Sequence, residues 1–204
     1  MKNAEADYLR ESCEIILKKS FEKLLENDYE LLENNTHEVT ISGLLAQYIK
    51  AFIKDTPLIE NGNLSVDIEY NRMPDIRNPE MQEQVSKAIY IISFGDKRPD
   101  LHKEIKRNVR PDIIIHQRKT NTNNILWLEL KLNVNESECR YDMQKAWYAM
   151  SQLQYELGVS ILVDTTAQII VFNWVDSDEV ERVEYEIENK LLRERGRSIR
   201  FIRK

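Results

Sequence analysis

The sequence predicts one α/β domain carrying an N-terminal helical extension. Three observations predict it. Apolar residues recur at helical spacing from Leu9 to Ile53; two short apolar runs, DIIIH and ILWLEL, flank a polar stretch; and a later helical stripe gives way to two more β-rich runs. The 204 residues suffice for a single such domain with room for an insertion. No repeat or linker divides them, so residues 1–35 read as a helical extension, 36–175 as the core with an insertion over 71–108, and 176–204 as a charged tail.

Leu9, Cys13, Ile16, Leu17, Phe21, Leu24 and Leu25 share one helix face, which predicts one or two helices ending near Asn34-Asn35. A second helix is expected from Asn35–Glu38, with Asn35 as its cap and Glu38 three residues on. Its face is Ile41, Leu44, Leu45, Tyr48, Phe52 and Ile53, and Thr56-Pro57 and Asn61-Gly62 stop it. LSVDIEY (64–70) alternates Val66, Ile68 and Tyr70 against a polar side of Asp67 and Glu69, as a strand does. Residues 71–108 are the least legible; Ala88 to Phe94 fits either helix or strand. The runs 112–116 and 125–130 then make a hairpin around KTNTNN. A helix over 141–157 follows, with Met143, Trp147, Met150, Leu153 and Leu157 as its stripe and Gly158 as its C-cap. VSILVD (159–164) turns at Thr165-Thr166 into IIVFNWV (169–175), and VEYEI in the tail fits strand or helix.

Composition narrows the function classes. A hydrophobic fraction of 42% with 31% charged residues describes an ordinary soluble protein. No run approaches the roughly 20 apolar residues that span a bilayer, and MKNAEADYLRESCE lacks the apolar core of a secretory signal. The expected location is therefore cytoplasmic. Cys13 and Cys139 stand far apart and outside any Cys/His cluster, which argues against zinc or a disulfide framework. The net charge of −6 argues at first against a polyanionic partner, but the charge is segregated. Residues 1–38 are acid-rich, whereas KLLRERGRSIRFIRK and His102 to Arg110 are basic and could supply phosphate contacts.

Three Pro-Asp pairs and three Glu-x-Lys triplets occur, so the short matches mean little alone. Context separates them. Only Asp112 opens an apolar strand, and only Glu129-Leu130-Lys131 lies inside one. Alternation puts Leu126, Leu128, Leu130 and Leu132 on one face and Trp127, Glu129 and Lys131 on the other. Folding the hairpin about Thr120 and Asn121 brings Asp112 opposite Glu129. Side chains so opposed lie about 4.5–5.5 Å apart. Two carboxylates at that range repel unless a cation joins them, and a hard divalent ion such as Mg²⁺ suits them. Lys131 sits on the same face, beside any water such an ion would polarise. Read singly, Asp112 could be a cap, Glu129 a solvent-facing residue and Lys131 its salt-bridge partner. A one-residue slip in register would move Glu129 to the other face.

Residues 109–131, VRPDIIIHQRKTNTNNILWLELK, resemble the core hairpin of the PD-(D/E)XK, or restriction-endonuclease-like, nuclease superfamily. The resemblance implies an αβββαβ core over about residues 36–175, with a central mixed sheet flanked by helices. It implies a nuclease in which Asp112, Glu129 and the main-chain carbonyl of Leu130 ligate Mg²⁺, or Mn²⁺ in its place, and Lys131 activates the attacking water. Glu38 matches the acid often found on the first core helix, and a helix N-terminal acid is its ordinary role. Gln144 and Tyr148 resemble a Gln-x-x-x-Tyr motif, although helical packing explains them as well. The long segment 71–108 departs from the common core.

Lys103, Lys106, Arg107, Arg110 and Arg118 are the candidate nucleic-acid contacts, with DNA the favoured partner and homodimerisation left open. Glu69 reads as either supporting the site or exposed. His116 lies about 13 Å along the strand from Asp112, a polar or phosphate contact rather than a general base. Trp127 and Trp147 read as packing. His37 and His102 suggest nothing specific. Two rival readings are a non-catalytic nucleic-acid binder of the same fold and a protein-interaction module.

Overall fold

The computed structural model describes residues 2–34, 36–54, 63–74, 84–94, 102–120, 123–176 and 179–201. Its α1 (Lys2–Glu33) is one long helix with a kink at Asp28, where φ is −133°. Tyr48 donates its hydroxyl to Asp28 Oδ2 at 2.6 Å and so ties the kink to α2 (Glu38–Ile53). His37 stands at the N-cap of α2 without a side-chain capping bond. The expected cap, Asn35, and the expected stops at 56–57 and 61–62 lie outside the described residues.

Seven strands form one mixed sheet in the order β1-β6-β7-β8-β9-β10-β11. They are β1 (Leu64–Ile68), β6 (Ile113–Gln117), β7 (Asn124–Leu132), β8 (Tyr155–Asp164), β9 (Ile169–Val175), β10 (Glu179–Glu188) and β11 (Leu191–Phe201). The pairs β1/β6 and β6/β7 are antiparallel, and β7/β8 is parallel. The parallel step needs a crossover, which α3 (Glu136–Leu153) supplies. Residues 71–108 contribute two small hairpins, β2 (Arg72–Pro74) with β3 (Gln84–Ser86) and β4 (Ala88–Phe94) with β5 (His102–Asn108). The ambiguous stretch Ala88–Phe94 is thus a strand.

Both faces of the sheet are covered, and alternation decides which residue meets which layer. Leu126, Leu128 and Leu130 join Ile113, Ile115, Val159 and Ile161 under α1 and α2. On the reverse face Ile114, Trp127 and Tyr155 pack against Ala146, Ala149 and Leu153 of α3. Gly158 does not cap that helix, as the sequence suggested; it lies inside β8, where a Cβ would meet Ala146 Cβ and Met150 Sδ, each at 3.0 Å. It lets α3 lie close on the sheet. The buried stripe of α3 is Cys139, Asp142, Ala146, Ala149 and Leu153, rotated from the stripe expected on Met143, Trp147 and Met150.

The charged tail is no appendage. VEYEI belongs to β10, and the basic run forms β11 at the sheet edge. Three of its arginines face acids of the same sheet and of α1: Arg197 pairs with Glu14, Glu181 and Glu194, Arg193 with Glu188, and Arg195 with Glu184. Those three charges are matched at home, four strands from β7. The polar side expected of β1 is also corrected. Asp67 is buried and Ile68 exposed, because Asp67 faces the α3 side, where partners await it.

Candidate active site

The hairpin register is the one read from the chain. Ile113 pairs with Leu128, Ile114 with Trp127 and Ile115 with Leu126 before a bulge at His116, and the same register carried one step back sets Asp112 across from Glu129. Asp112 stands immediately before β6, its carbonyl accepting the N–H of Glu69 at 3.2 Å and its Oδ2 accepting the N–H of Leu130 at 2.7 Å. Burial raises its carboxyl above the usual range, with the Leu130 amide and the charges of Lys131 and Lys145 opposing.

Glu129 differs from expectation in its surroundings. The sequence placed it outward, but α3 roofs that face and leaves it 2% exposed. A buried carboxylate needs donors for both oxygens. Trp127 donates its indole N–H to Oε1 at 2.8 Å, and Lys145 donates to Oε2 at 2.6 Å. Burial still holds the carboxyl well above the usual carboxylate range, Lys145 opposing and the charge of Asp112 adding to the push.

Lys131 reaches the other side of the cluster. Its ammonium donates to Glu38 Oε2 at 2.8 Å, while Glu38 Oε1 accepts the N–H of Leu132 at 3.4 Å. Partial burial would lower the Lys131 ammonium, but Glu38, Asp142 and Asp112 together hold it above its ordinary value. Glu38 thus binds the end of β7 to the start of α2. An open cleft lined by Thr36, His37, Glu38, Leu132 and Asn133 lies beside this pair.

Two residues missed in the sequence complete the group. Asp142 and Lys145 lie one turn apart on the buried side of α3, joined at 2.8 Å, and Lys131 stands 3.9 Å from Asp142 Oδ2. Asp142 Oδ2 accepts no hydrogen bond from the described residues. The signal was available in Cys139, Ala146 and Ala149. Taking these small residues as the buried stripe, in place of the larger Met and Trp, puts both charges against the sheet.

The remaining candidates divide. Gln144 is exposed on α3, and Tyr148 packs edge-on to Trp147; the helix residue that contacts Glu129 is Lys145, with Asp142 beside it. Arg118 is bound through its guanidinium to both oxygens of Asp67, its side chain otherwise exposed. His116 is buried against Asp67 at 2.9 Å with its ring tilted against Tyr70, so of its two readings it takes that of a polar contact. Lys106, Arg107 and Arg110 are exposed, Arg110 lying 3.8 Å from the likewise exposed Glu69. The side chain of Lys103 lies outside the described residues.

The donor set suits a hard divalent ion. Glu38, Asp112, Glu129 and Asp142 set four carboxylates against the two ammonium groups of Lys131 and Lys145, a deficit of two charges when all are ionised. Among the described residues no three acidic, His or Cys side chains converge as a ready-made cage. Magnesium does not require one, since one or two carboxylates with water and phosphate oxygens hold it.

No protein-family model, curated protein or solved structure matches the chain. Among the described residues no helix is long and apolar enough to cross a membrane.

Proposed function

We propose that the chain is a metal-dependent nuclease that hydrolyses phosphodiester bonds, DNA being the favoured substrate. The observation that carries this reading is the register of β6 and β7, which sets Asp112 across from Glu129 with Lys131 two residues on. The order α2-β1-β6-β7-α3-β8, three antiparallel strands followed by a parallel one, supports a restriction-endonuclease-like core.

Asp112, Glu129 and the carbonyl of Leu130 would hold the ion, Mg²⁺ or Mn²⁺. Once bound it would lower the pKa of water and offset charge on the phosphate. The chain's own residues do the positioning. Glu38 aims the Lys131 ammonium at 2.8 Å, keeping it charged beside the place where the attacking water would sit. Trp127 fixes one oxygen of Glu129, leaving the other to exchange partners. Covering by α3 buries Glu129 and Asp142, which strengthens their charge interactions. Lys106 and Arg107 on β5, with Arg110 after it, are exposed to meet backbone phosphates.

The test is cleavage of linear and circular DNA and of RNA with Mg²⁺ or Mn²⁺, by wild type beside Glu129→Gln and Lys131→Ala. Metal-dependent cleavage lost in both variants supports the reading. Equal residual activity in all three identifies a contaminant and removes it.

A further inference from the structure

Lys145 gives the site a cation of its own. Its ammonium lies 2.6 Å from Glu129 Oε2 and 2.8 Å from Asp142 Oδ1, on a side chain only 16% exposed. Asp142 is buried too, and its second oxygen accepts no hydrogen bond from the described residues, Lys131 standing 3.9 Å away. A buried carboxylate oxygen without a donor is costly, so Asp142 keeps acceptor capacity beside two lysines.

Resting on the reading of Asp112 and Glu129 as metal-holding, we propose that Lys145 is a tethered counter-ion that competes with the divalent cation for Glu129. Asp142 is the anion to which Lys145 retreats when the cation arrives. An ammonium and a divalent ion on one buried carboxylate repel, and with Oε1 held by Trp127 both would compete for Oε2. Asp142 is one turn from Lys145 on the same helix, and rotation of the flexible lysine stem lets Lys145 keep Asp142 while giving up Glu129. The metal-free site is thereby spared an uncompensated buried charge, and cation affinity is set by the exchange rather than by the carboxylates alone.

The experiment is calorimetric titration of Mn²⁺ into the full chain without nucleic acid, for wild type, Lys145→Met, Asp142→Asn and the double variant. Glu129→Gln serves as the loss control, and thermal melting checks folding. The expected result is binding about tenfold tighter in Lys145→Met, because a competitor is removed. Binding should be several-fold weaker in Asp142→Asn, where Lys145 has no other anion. The double variant should match Lys145→Met within about threefold, since Asp142 acts only through Lys145. Unchanged or weaker binding in Lys145→Met overturns the proposal, as does an equal Asp142→Asn loss in both backgrounds, which would make Asp142 a ligand. If Lys145→Met does not fold, Asp142→Asn decides, and unchanged affinity there overturns it. Mn²⁺ binding that depends on Glu129, without cleavage by wild type, sinks the nuclease reading and leaves this one standing. No Mn²⁺ binding by any variant overturns this one.

Discussion

Trp127 donates its indole N–H to Glu129 Oε1 at 2.8 Å, although the two residues are same-face neighbours on one strand. The indole is fully buried and lies edge-on to Tyr155, with ring centroids 5.3 Å apart. Packing therefore holds the donor, and the donor holds the carboxylate. Trp127→Phe keeps an aromatic ring but leaves Oε1 unsatisfied. Chemical denaturation should show a loss of about 1–3 kcal/mol, and Mn²⁺ binding should weaken with it. Unchanged stability and affinity would show that the indole only fills space.

Glu129→Gln separates chemistry from folding. The amide oxygen still accepts from Trp127, and Lys145 retains Asp142. The fold should survive, with melting within a few degrees of wild type, while metal-dependent cleavage falls on the order of 100-fold or more. Loss of activity through unfolding would appear in the melt.

Gly158→Ala tests the close seating of α3. The new methyl meets Ala146 Cβ and Met150 Sδ at 3.0 Å and the Ala146 carbonyl at 3.3 Å. Overpacking of this kind costs about 1–3 kcal/mol, read from the denaturant midpoint. Because Asp142 and Lys145 ride on the same helix, metal affinity should fall as well. A neutral substitution would show that α3 shifts freely.

Lys87 supplies a pH signature away from the metal site. It is 3% exposed, donates to the Tyr155 hydroxyl at 2.5 Å and lies over the rings of Tyr70 and Tyr155. Burial lowers its ammonium from 10.5 to about 8, the charge of Asp67 opposing. Between those values the unfolded chain binds more protons than the folded one, so this lysine makes stability rise with pH. Below pH 8 its full penalty applies. Urea unfolding of wild type and Lys87→Met from pH 7 to 10 should show the wild type gaining on the variant above pH 8. A constant difference would refute the shift.

Legibility followed the strength of the local pattern. The hairpin of β6 and β7 was readable because four alternating leucines and a symmetric polar loop fix both face and register. Asp67 was misread because alternation alone cannot tell a solvated face from a second buried one. Its partners His116 and Arg118 are about fifty residues away. Asp142 and Lys145 escaped for a related reason: large residues drew the helix stripe, while close packing of α3 on Gly158 selected small ones. Strands β10 and β11 looked like a charged tail because their ion pairs are completed across the sheet and on α1.

The most direct test of the account is anomalous diffraction from a crystal soaked in Mn²⁺. The account predicts a peak between the carboxylates of Asp112 and Glu129, with Lys145 turned toward Asp142, and no such peak in Glu129→Gln. A peak elsewhere, or none between these two residues while wild-type crystals cleave a soaked oligonucleotide, would contradict it.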